Sequence, residues 1–233
     1  DTPPDINNLN CLSENEDEFH FSRFLNCKYY IDEDFTTEFS NIDHHFSILH
    51  FNFRSLNKNI NAISNVISTL CIYFSIYGFS EIWINDSTPI LFNVSGYSFI
   101  HSDCQKGKGG GVGLLVADNF EYEIRNDIFI LYPSYNYESL FIESNLPRHK
   151  NIIVGVIYRK PQSNINDFIP VFENVLQKTH TEHKQVYIMG DFNIDPVKFT
   201  GNAVCNFLSE IHSNLCIPLI DKPSRKTDGS ISL

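Results

Sequence analysis

The chain has 233 residues, which is long enough for one domain with a sizeable hydrophobic core or for two small domains. Hydrophobic residues make up 42% of it and aromatic residues 14%, which excludes a wholly disordered chain. The formal net charge of -11 counts against nonspecific nucleic-acid binding through bulk charge, because phosphate binding draws on Lys and Arg. Divalent cations and a local basic rim can offset this charge, so a DNA enzyme is not excluded.

The cysteine pattern and the hydropathy profile favour a location inside the cell. The six cysteines are scattered and include no C-x-x-C pair, which is typical of free thiols in a reducing environment. The sequence has neither an apolar signal region nor an apolar run of roughly 18 residues, the length needed to span a bilayer. We therefore expect an intracellular chain without a membrane partner.

The first 45 residues differ in character from the rest. They are polar and acidic and lack a sustained hydrophobic period. This composition predicts a mostly flexible leader. The apolar pattern begins at Phe46, so the predicted folded domain spans residues 46–233.

The predicted domain opens with a strand, a helix and a second strand. Residues 46–51 form a short apolar run suited to a buried strand. Apolar residues then recur at helical spacing between residues 60 and 70, after a polar turn at 57–59. Residues 72–79 form the second apolar run.

A glycine-rich segment at residues 107–113 leads directly into a predicted strand at 114–116. It fits neither of the common phosphate-binding loop patterns, so it is interpreted as a flexible turn. Residues 139–144 and 152–158 are two further predicted strands.

The last part of the chain alternates in the same way. A helix is predicted through residues 168–176 with a cap near Asn166, followed by a strand at 186–189 and a helix at 204–211. Strands that alternate with helices and with hairpin-like turns predict a mixed-sheet α/β sandwich.

Polar residues follow three of the predicted strands at their ends. Asn52 follows the first strand, Glu81 the second, and Asp191 and Asn193 the strand at 186–189. A carboxylate at the end of a buried strand costs desolvation unless it binds a cation or several donors. Glu81 and Asp191 can thus provide oxygen ligands for Mg²⁺, or one can bind metal while the other orients water. Taken alone, Glu81 is equally read as a partly exposed carboxylate, and Asp191 with Asn193 as an Asx-type turn.

Four motifs in order change this balance. They are His-Phe-Asn-Phe-Arg-Ser-Leu at 50–56, Ser-Glu-Ile-Trp-Ile at 80–84, Gly-Val-Ile-Tyr-Arg-Lys-Pro at 155–161 and Met-Gly-Asp-Phe-Asn at 189–193. Together they resemble the apurinic/apyrimidinic-endonuclease-like domain of non-LTR (LINE-type) retrotransposons, within the endonuclease/exonuclease/phosphatase superfamily. The glycine-rich turn and residues 222–225 fit the same family. The resemblance runs from Phe46 to the last residue.

The resemblance implies an α+β fold, the four-layer α/β/β/α sandwich of deoxyribonuclease I. Two substitutions depart from the family pattern: Ile82 stands where Thr is common, and Phe53 where Ile or Val is common. After residue 233 the family continues with an Asp-containing strand and a later Ser-Asp-His motif. We therefore expect a domain that is incomplete at its C-terminus and lacks its last strands and that catalytic His.

The resemblance also implies roles for individual residues. Glu81 would be the main ligand of Mg²⁺, or of Mn²⁺ in its place, with Asn52 beside it. Asp191 would orient or deprotonate the attacking water, Asn193 would hold the scissile phosphate, and Tyr158 would donate a hydrogen bond to a phosphate oxygen.

Three further residues are candidates for substrate binding. Ser224 lies where the family often places a hydroxyl near the substrate. Arg54 and Arg159 are candidate contacts to the DNA backbone, and ordinary surface solvation is the alternative for each.

The predicted function is that of a Mg²⁺-dependent endonuclease that nicks chromosomal DNA in the nucleus. The nicked 3′ hydroxyl would prime a downstream reverse transcriptase domain of the same polyprotein. A catalytically inactive retroelement remnant or domesticated binding module is the first alternative. The second is a different phosphoesterase of the same superfamily, acting on lipid or inositol phosphates.

Overall fold

A computed structural model describes the chain over most of its length. The described residues are 27–39, 46–70, 72–85, 87, 92–103, 109–128, 136–145, 150–194, 202–220, 225–227 and 230–232. They divide into two compact units: one is Tyr30–Ile194, and the other comprises the described residues outside that range.

The larger unit contains both sheets of the domain. Its described elements, in chain order, are α1 (Asp32–Phe39), β1 (Ile48–Asn52), α2 (Leu56–Leu70), β2 (Ile76–Ser80), β3 (Tyr97–Ser102), β4 (Val112–Ala117), β5 (Tyr122–Ile124), β6 (Tyr137–Ser144), β7 (Ile152–Arg159), α3 (Ile165–Thr181) and β8 (Gln185–Asp191). Every strand and helix predicted for this part of the sequence is present, and α1, β3 and β5 are additional.

The smaller unit contains the predicted helix at 204–211, which is α4 (Asn202–Ser213). It also contains an antiparallel hairpin of β9 (Arg225–Thr227) and β10 (Ser230–Ser232). Among the helices that the structure describes in either unit, none has the length and apolar character needed to cross a membrane.

The two sheets of the larger unit have four strands each. Their orders are β1-β2-β4-β3 and β5-β6-β7-β8. The β1–β2 and β7–β8 pairs are parallel, and the remaining pairs are antiparallel. A parallel pair needs a crossover connection, and α2 and α3 supply these two crossovers.

The sheets pack face to face through a buried apolar layer. Ile76 of β2 lies in this layer with Val154 and Val156 of β7. Gly78 allows the sheets to approach closely, because a Cβ atom there would overlap the sulfur of Met189 in β8. Alternate residues of each strand enter this layer, as the period of two requires.

Helices cover the outer faces. Leu56, Ile63 and Leu70 of α2 pack with Tyr77 and Phe79 of β2, the residues that alternate with the inward ones. On the second sheet, the ring of Phe168 in α3 lies 5.1 Å from the ring of Tyr137 in β6. The result is the predicted four-layer α/β/β/α sandwich.

Part of the predicted leader belongs to the larger unit. Phe35 and Phe39 of α1 pack against the core beneath α2, and the Phe35 ring lies 6.4 Å from the ring of Phe74. Their spacing of four residues places both rings on one face of the short helix. The compact unit therefore begins at Tyr30 rather than at Phe46.

A charged network ties β6 to the segment between α3 and β8. Arg125 donates to Glu143 at 2.6 Å, to Asp127 at 2.8 Å and also to Glu182. Lys184 lies 2.6 Å from Glu143 and 2.7 Å from Glu182. The hydrogen bonds from Arg125, followed by those from Lys184, lower the pKa of Glu182 to about 2.

Replacing Arg125 by Met should lower the free energy of unfolding by about 2 kcal/mol at neutral pH, since the lost bonds join charged groups. The folded-state pKa of Glu182 lies below its ordinary value of 4.5. The network therefore stabilises the fold fully above pH 4.5, and this stabilisation is lost as the pH falls toward 2. The difference between wild type and Arg125→Met in urea unfolding should therefore shrink over that range. The exposed Lys150→Met is the control, and a difference that does not change with pH would contradict the assignment.

Candidate functional site

The C-terminal ends of four strands, β1, β2, β7 and β8, meet at one edge of the sandwich. In the first sheet Asn52 lies opposite Ser80, and in the second Asp191 lies opposite Tyr158. The Nδ2 atom of Asn52 donates to Glu81 Oε1 at 2.9 Å and also to Asp191 Oδ2. One amide thus bridges two carboxylates that come from different sheets.

A neutral polar pair lies beneath this bridge. His50 enters the layer between the sheets two residues before Asn52, and its Nε2 lies 3.2 Å from the hydroxyl of Ser80. Burial lowers the pKa of His50 to about 4, so the imidazole is uncharged at neutral pH. His50 therefore adds no positive charge that would compete with a cation for the carboxylates.

Several site residues have left-handed backbone conformations. The φ angles are 55° at Glu81, 48° at Asn193, 47° at Arg54 and 94° at Ser55. Such conformations cost non-glycine residues about 1–3 kcal/mol each, and they persist only where the surroundings hold them. Strained residues of this kind cluster at functional sites.

The loop that carries Glu81 is held on one side by the start of α2. The Ser55 amide donates to the Glu81 carbonyl at 2.8 Å, and the Leu56 amide donates to the Ile82 carbonyl at 2.9 Å. These bonds continue the pairing of β1 with β2 beyond the ends of both strands.

The glycine-rich turn holds the same loop from the other side. The Ile82 amide donates to the Gly111 carbonyl at 3.2 Å, and the Trp83 amide donates to the Gly110 carbonyl at 2.9 Å. Gly110 and Gly111, which belong to the segment interpreted as a flexible turn, thus hold the segment that follows Glu81.

The loop that carries Asp191 contains an Asx-type turn. The backbone amide of Asn193 donates to Asp191 Oδ1 at 2.9 Å, while Asp191 Oδ2 accepts from the side chain of Asn52. Asp191 can therefore form the Asx-type turn and also bind a metal ion or orient water, because each role uses a different carboxylate oxygen. The side chain of Asn193 donates to the Arg159 carbonyl at 2.7 Å.

Arg159 is an internal residue, although we predicted a contact to the DNA backbone. It is 2% exposed, and its guanidinium donates at 2.5 Å to each of three carbonyls, those of Phe192, Asn193 and Ser163. Burial lowers its pKa. A guanidinium enclosed in this way holds the Asp191 loop and is not available to a ligand at the surface.

The other predicted residues are distributed as follows. Tyr158 is 3% exposed, lies in the layer between the sheets and neighbours Asp191. Arg54 is exposed at the edge that carries Asn52. Ser224 lies outside the described residues.

Sequence reasoning missed one carboxylate near the site. Glu138 of β6 is 3% exposed, lies opposite Tyr158 and accepts a hydrogen bond from the amide of Gly111. A signal was present in the sequence: in β6, Glu138 has the same parity as the inward-facing Leu140 and Ile142.

The arrangement has a limited set of metal donors. Among the described residues, no group of three or more His, Cys, Asp or Glu side chains is placed to hold a metal ion. The available donors are the carboxylates of Glu81 and Asp191 and the amide of Asn52. Mg²⁺ is commonly bound by one or two carboxylates while it keeps several waters, so this set suits it.

Substituting Arg159 by Lys should destabilise the larger unit by about 3 kcal/mol, because an ammonium cannot reproduce a planar fork and leaves buried carbonyls unpaired. Thermal unfolding followed by circular dichroism measures the change. The matched control is Arg54→Lys at the exposed Arg, which should shift stability by less than about 0.5 kcal/mol. Equal effects of the two substitutions would contradict the internal role of Arg159.

No family model matches the sequence, and no curated protein matches it either. Among solved structures, the chain is similar to an AP endonuclease from Leishmania major, with a TM-score of 0.62 and 15% identity over 91% of this chain and 85% of that chain. It is also similar to the catalytic domain of APE2 from Xenopus laevis (TM-score 0.51, 14% identity, 70% of this chain and 67% of that chain). A third similar structure is an endonuclease/exonuclease/phosphatase family protein from Bacteroides thetaiotaomicron (TM-score 0.51, 13% identity, 71% and 68%).

At this level of identity the likeness establishes the fold. The chain has the deoxyribonuclease-I-like α/β/β/α sandwich, the architecture of these nuclease and phosphatase structures.

Proposed function

We propose that this chain is a metal-dependent phosphodiesterase that nicks DNA. The observation that carries the proposal is the convergence of Glu81 and Asp191, from two different sheets, on the single amide of Asn52. Two carboxylates that approach one point repel each other unless a donor or a cation lies between them. The four sequence motifs and the deoxyribonuclease-I-like fold support the same conclusion.

Mg²⁺ or Mn²⁺ fits this donor set. Glu81 and Asp191 offer hard oxygen ligands, and the Asn52 side chain can turn its oxygen rather than its nitrogen toward them. A bound divalent cation would stabilise the charge that develops on phosphate oxygens during hydrolysis. It would also offset part of the net charge of -11, which otherwise opposes an approaching polyanion.

The protein groups would divide the remaining work. Asp191 is oriented by the Asn193 amide and the Asn52 side chain, which prepares its carboxylate to accept a proton from water. Asn193 is exposed, and one hydrogen of its side-chain Nδ2 donates to the Arg159 carbonyl. The other hydrogen of the same nitrogen can donate to a phosphate oxygen. Tyr158 lies beside Asp191, where its hydroxyl would bind the same phosphate group.

We further propose that the biological substrate is chromosomal DNA in the nucleus and that the chain serves a non-LTR retrotransposon. The support is the form of the motifs, in particular Asn-Phe-Arg-Ser-Leu at residues 52–56. In this role the nicked strand primes reverse transcription by a polymerase domain of the same polyprotein. Arg54, exposed at the edge of the site, would contact the DNA backbone.

Supercoiled plasmid is the direct test. Wild type extended through the Ser-Asp-His motif that the family resemblance implies after residue 233 should convert it to the open circle in the presence of Mg²⁺ and stop when the metal is chelated. Glu81→Ala and Asp191→Ala should each lower the nicking rate at least about 100-fold, since each removes a group that acts on the reacting phosphate or water. Gel electrophoresis of the plasmid measures the rate, and circular dichroism verifies the fold.

Glu123→Gln is the matched control, because this exposed carboxylate lies on β5 opposite Glu143. Glu143 is near the C-terminal end of β6, which is remote from the site. It should nick at the wild-type rate. Nicking that persists in both alanine variants would overturn the assigned roles. An inert wild type that still binds plasmid would favour the inactive binding module, and hydrolysis of inositol phosphates without nicking would favour the other phosphoesterase.

A further inference from the structure

Strand β6 carries a buried carboxylate that the proposed reaction does not use. Glu138 is 3% exposed and shares a row across the second sheet with Tyr158 and Asp191. A buried carboxylate is costly unless donors surround it, so the groups that it contacts indicate its purpose.

Glu138 contacts the glycine-rich turn of the first sheet. Its Oε2 accepts a hydrogen bond from the amide of Gly111. Gly110, at a φ angle of 102°, lies directly over the carboxylate, because a Cβ atom there would stand 2.5 Å from Oε2 and 2.7 Å from Oε1. The turn therefore rests on the carboxylate, and a shift of either would displace the other.

The same two glycines hold the segment that follows Glu81. The Gly111 carbonyl accepts from Ile82 and the Gly110 carbonyl accepts from Trp83. Glu81 and Trp83 both have left-handed backbones, with φ angles of 55° and 56°, which need support from neighbouring groups. A short chain of backbone hydrogen bonds thus connects the carboxylate in one sheet to the Glu81 loop in the other.

We propose that Glu138 is a positioning residue for this site. It fixes the glycine-rich turn, and the turn fixes Glu81 in the orientation that faces Asn52 and Asp191. The consequence for metal binding rests on the proposed function, since it assumes that Glu81 is a metal ligand. The consequence for the conformation of the Glu81 loop is independent of that function.

The first experiment measures the conformation of the Glu81 loop in the absence of metal. Trp83 is the single tryptophan of the chain, and its backbone amide is bonded to Gly110, so its fluorescence reports on this loop. In the full chain, Glu138→Ala should increase acrylamide quenching of Trp83 and shift its emission to longer wavelength. Glu138→Gln retains an acceptor oxygen for Gly111 and should restore the wild-type spectrum. Glu138→Leu, which fills the volume without an acceptor, serves if the alanine variant does not fold.

The second experiment measures Mn²⁺ binding by isothermal titration calorimetry. Glu138→Ala should weaken the affinity about tenfold, the usual effect of losing a group that orients a metal ligand. The Gln variant should recover most of that loss. Glu143→Ala is the matched control, because Glu143 is also a buried carboxylate of β6 but belongs to the Arg125 network. It should lower the melting temperature and leave both Trp83 quenching and Mn²⁺ affinity unchanged.

Wild-type Trp83 quenching in both Glu138→Ala and Glu138→Leu would overturn the proposal. So would equal changes in the Glu143 control, because they would reveal a general loosening of the fold. If wild type binds no Mn²⁺, the proposed function fails at the metal while the Trp83 measurement still decides whether Glu138 positions the loop.

Discussion

The side-chain amide of Asn52 joins the two sheets at the candidate site through hydrogen bonds to two carboxylates. It donates to Glu81 in the first sheet and to Asp191 in the second, so the separation of the two carboxylates depends on how the sheets pack. That packing is set by the apolar layer beneath them and by the close approach at Gly78. Core packing and site geometry are therefore coupled, because the side chains of a close-packed layer cannot shift independently.

Two buried charges transmit this rigidity to the loops. Arg159 binds the carbonyls around Asp191, and Glu138 binds the turn that supports Glu81. Arg159 donates to three backbone carbonyls and Glu138 accepts from a backbone amide, which makes the loops costly to move. Such support is what a reactive site needs, since small displacements of its groups have large effects on chemistry.

Stability and chemistry occupy opposite ends of the second sheet. The site lies where β7 and β8 end, and the ion-pair network around Arg125 lies where β7 and β8 begin. The network keeps its charges partly buried and mutually paired, whereas the site brings together carboxylates with one amide between them. The same sheet thus contains one end where carboxylates pair with Arg125 and Lys184 and another where Asp191 is bonded to the Asn52 amide.

The sequence by itself determined most strands and helices of the sandwich, because apolar periods of two and of about 3.6 residues follow from backbone geometry alone. It also determined which polar residues end the strands, and so indicated Asn52, Glu81 and Asp191. It did not reveal β3 or β5, whose side chains are mixed in polarity, or the packing of α1, whose two phenylalanines are masked by acidic neighbours. Only the tertiary structure decided the orientation of Arg159 and Glu138, since a charged residue near the end of a strand is compatible with surface or interior until its partners are known. Several of those partners are backbone groups of loops distant in sequence, the carbonyls of Phe192 and Asn193 and the amide of Gly111, and no local pattern encodes them.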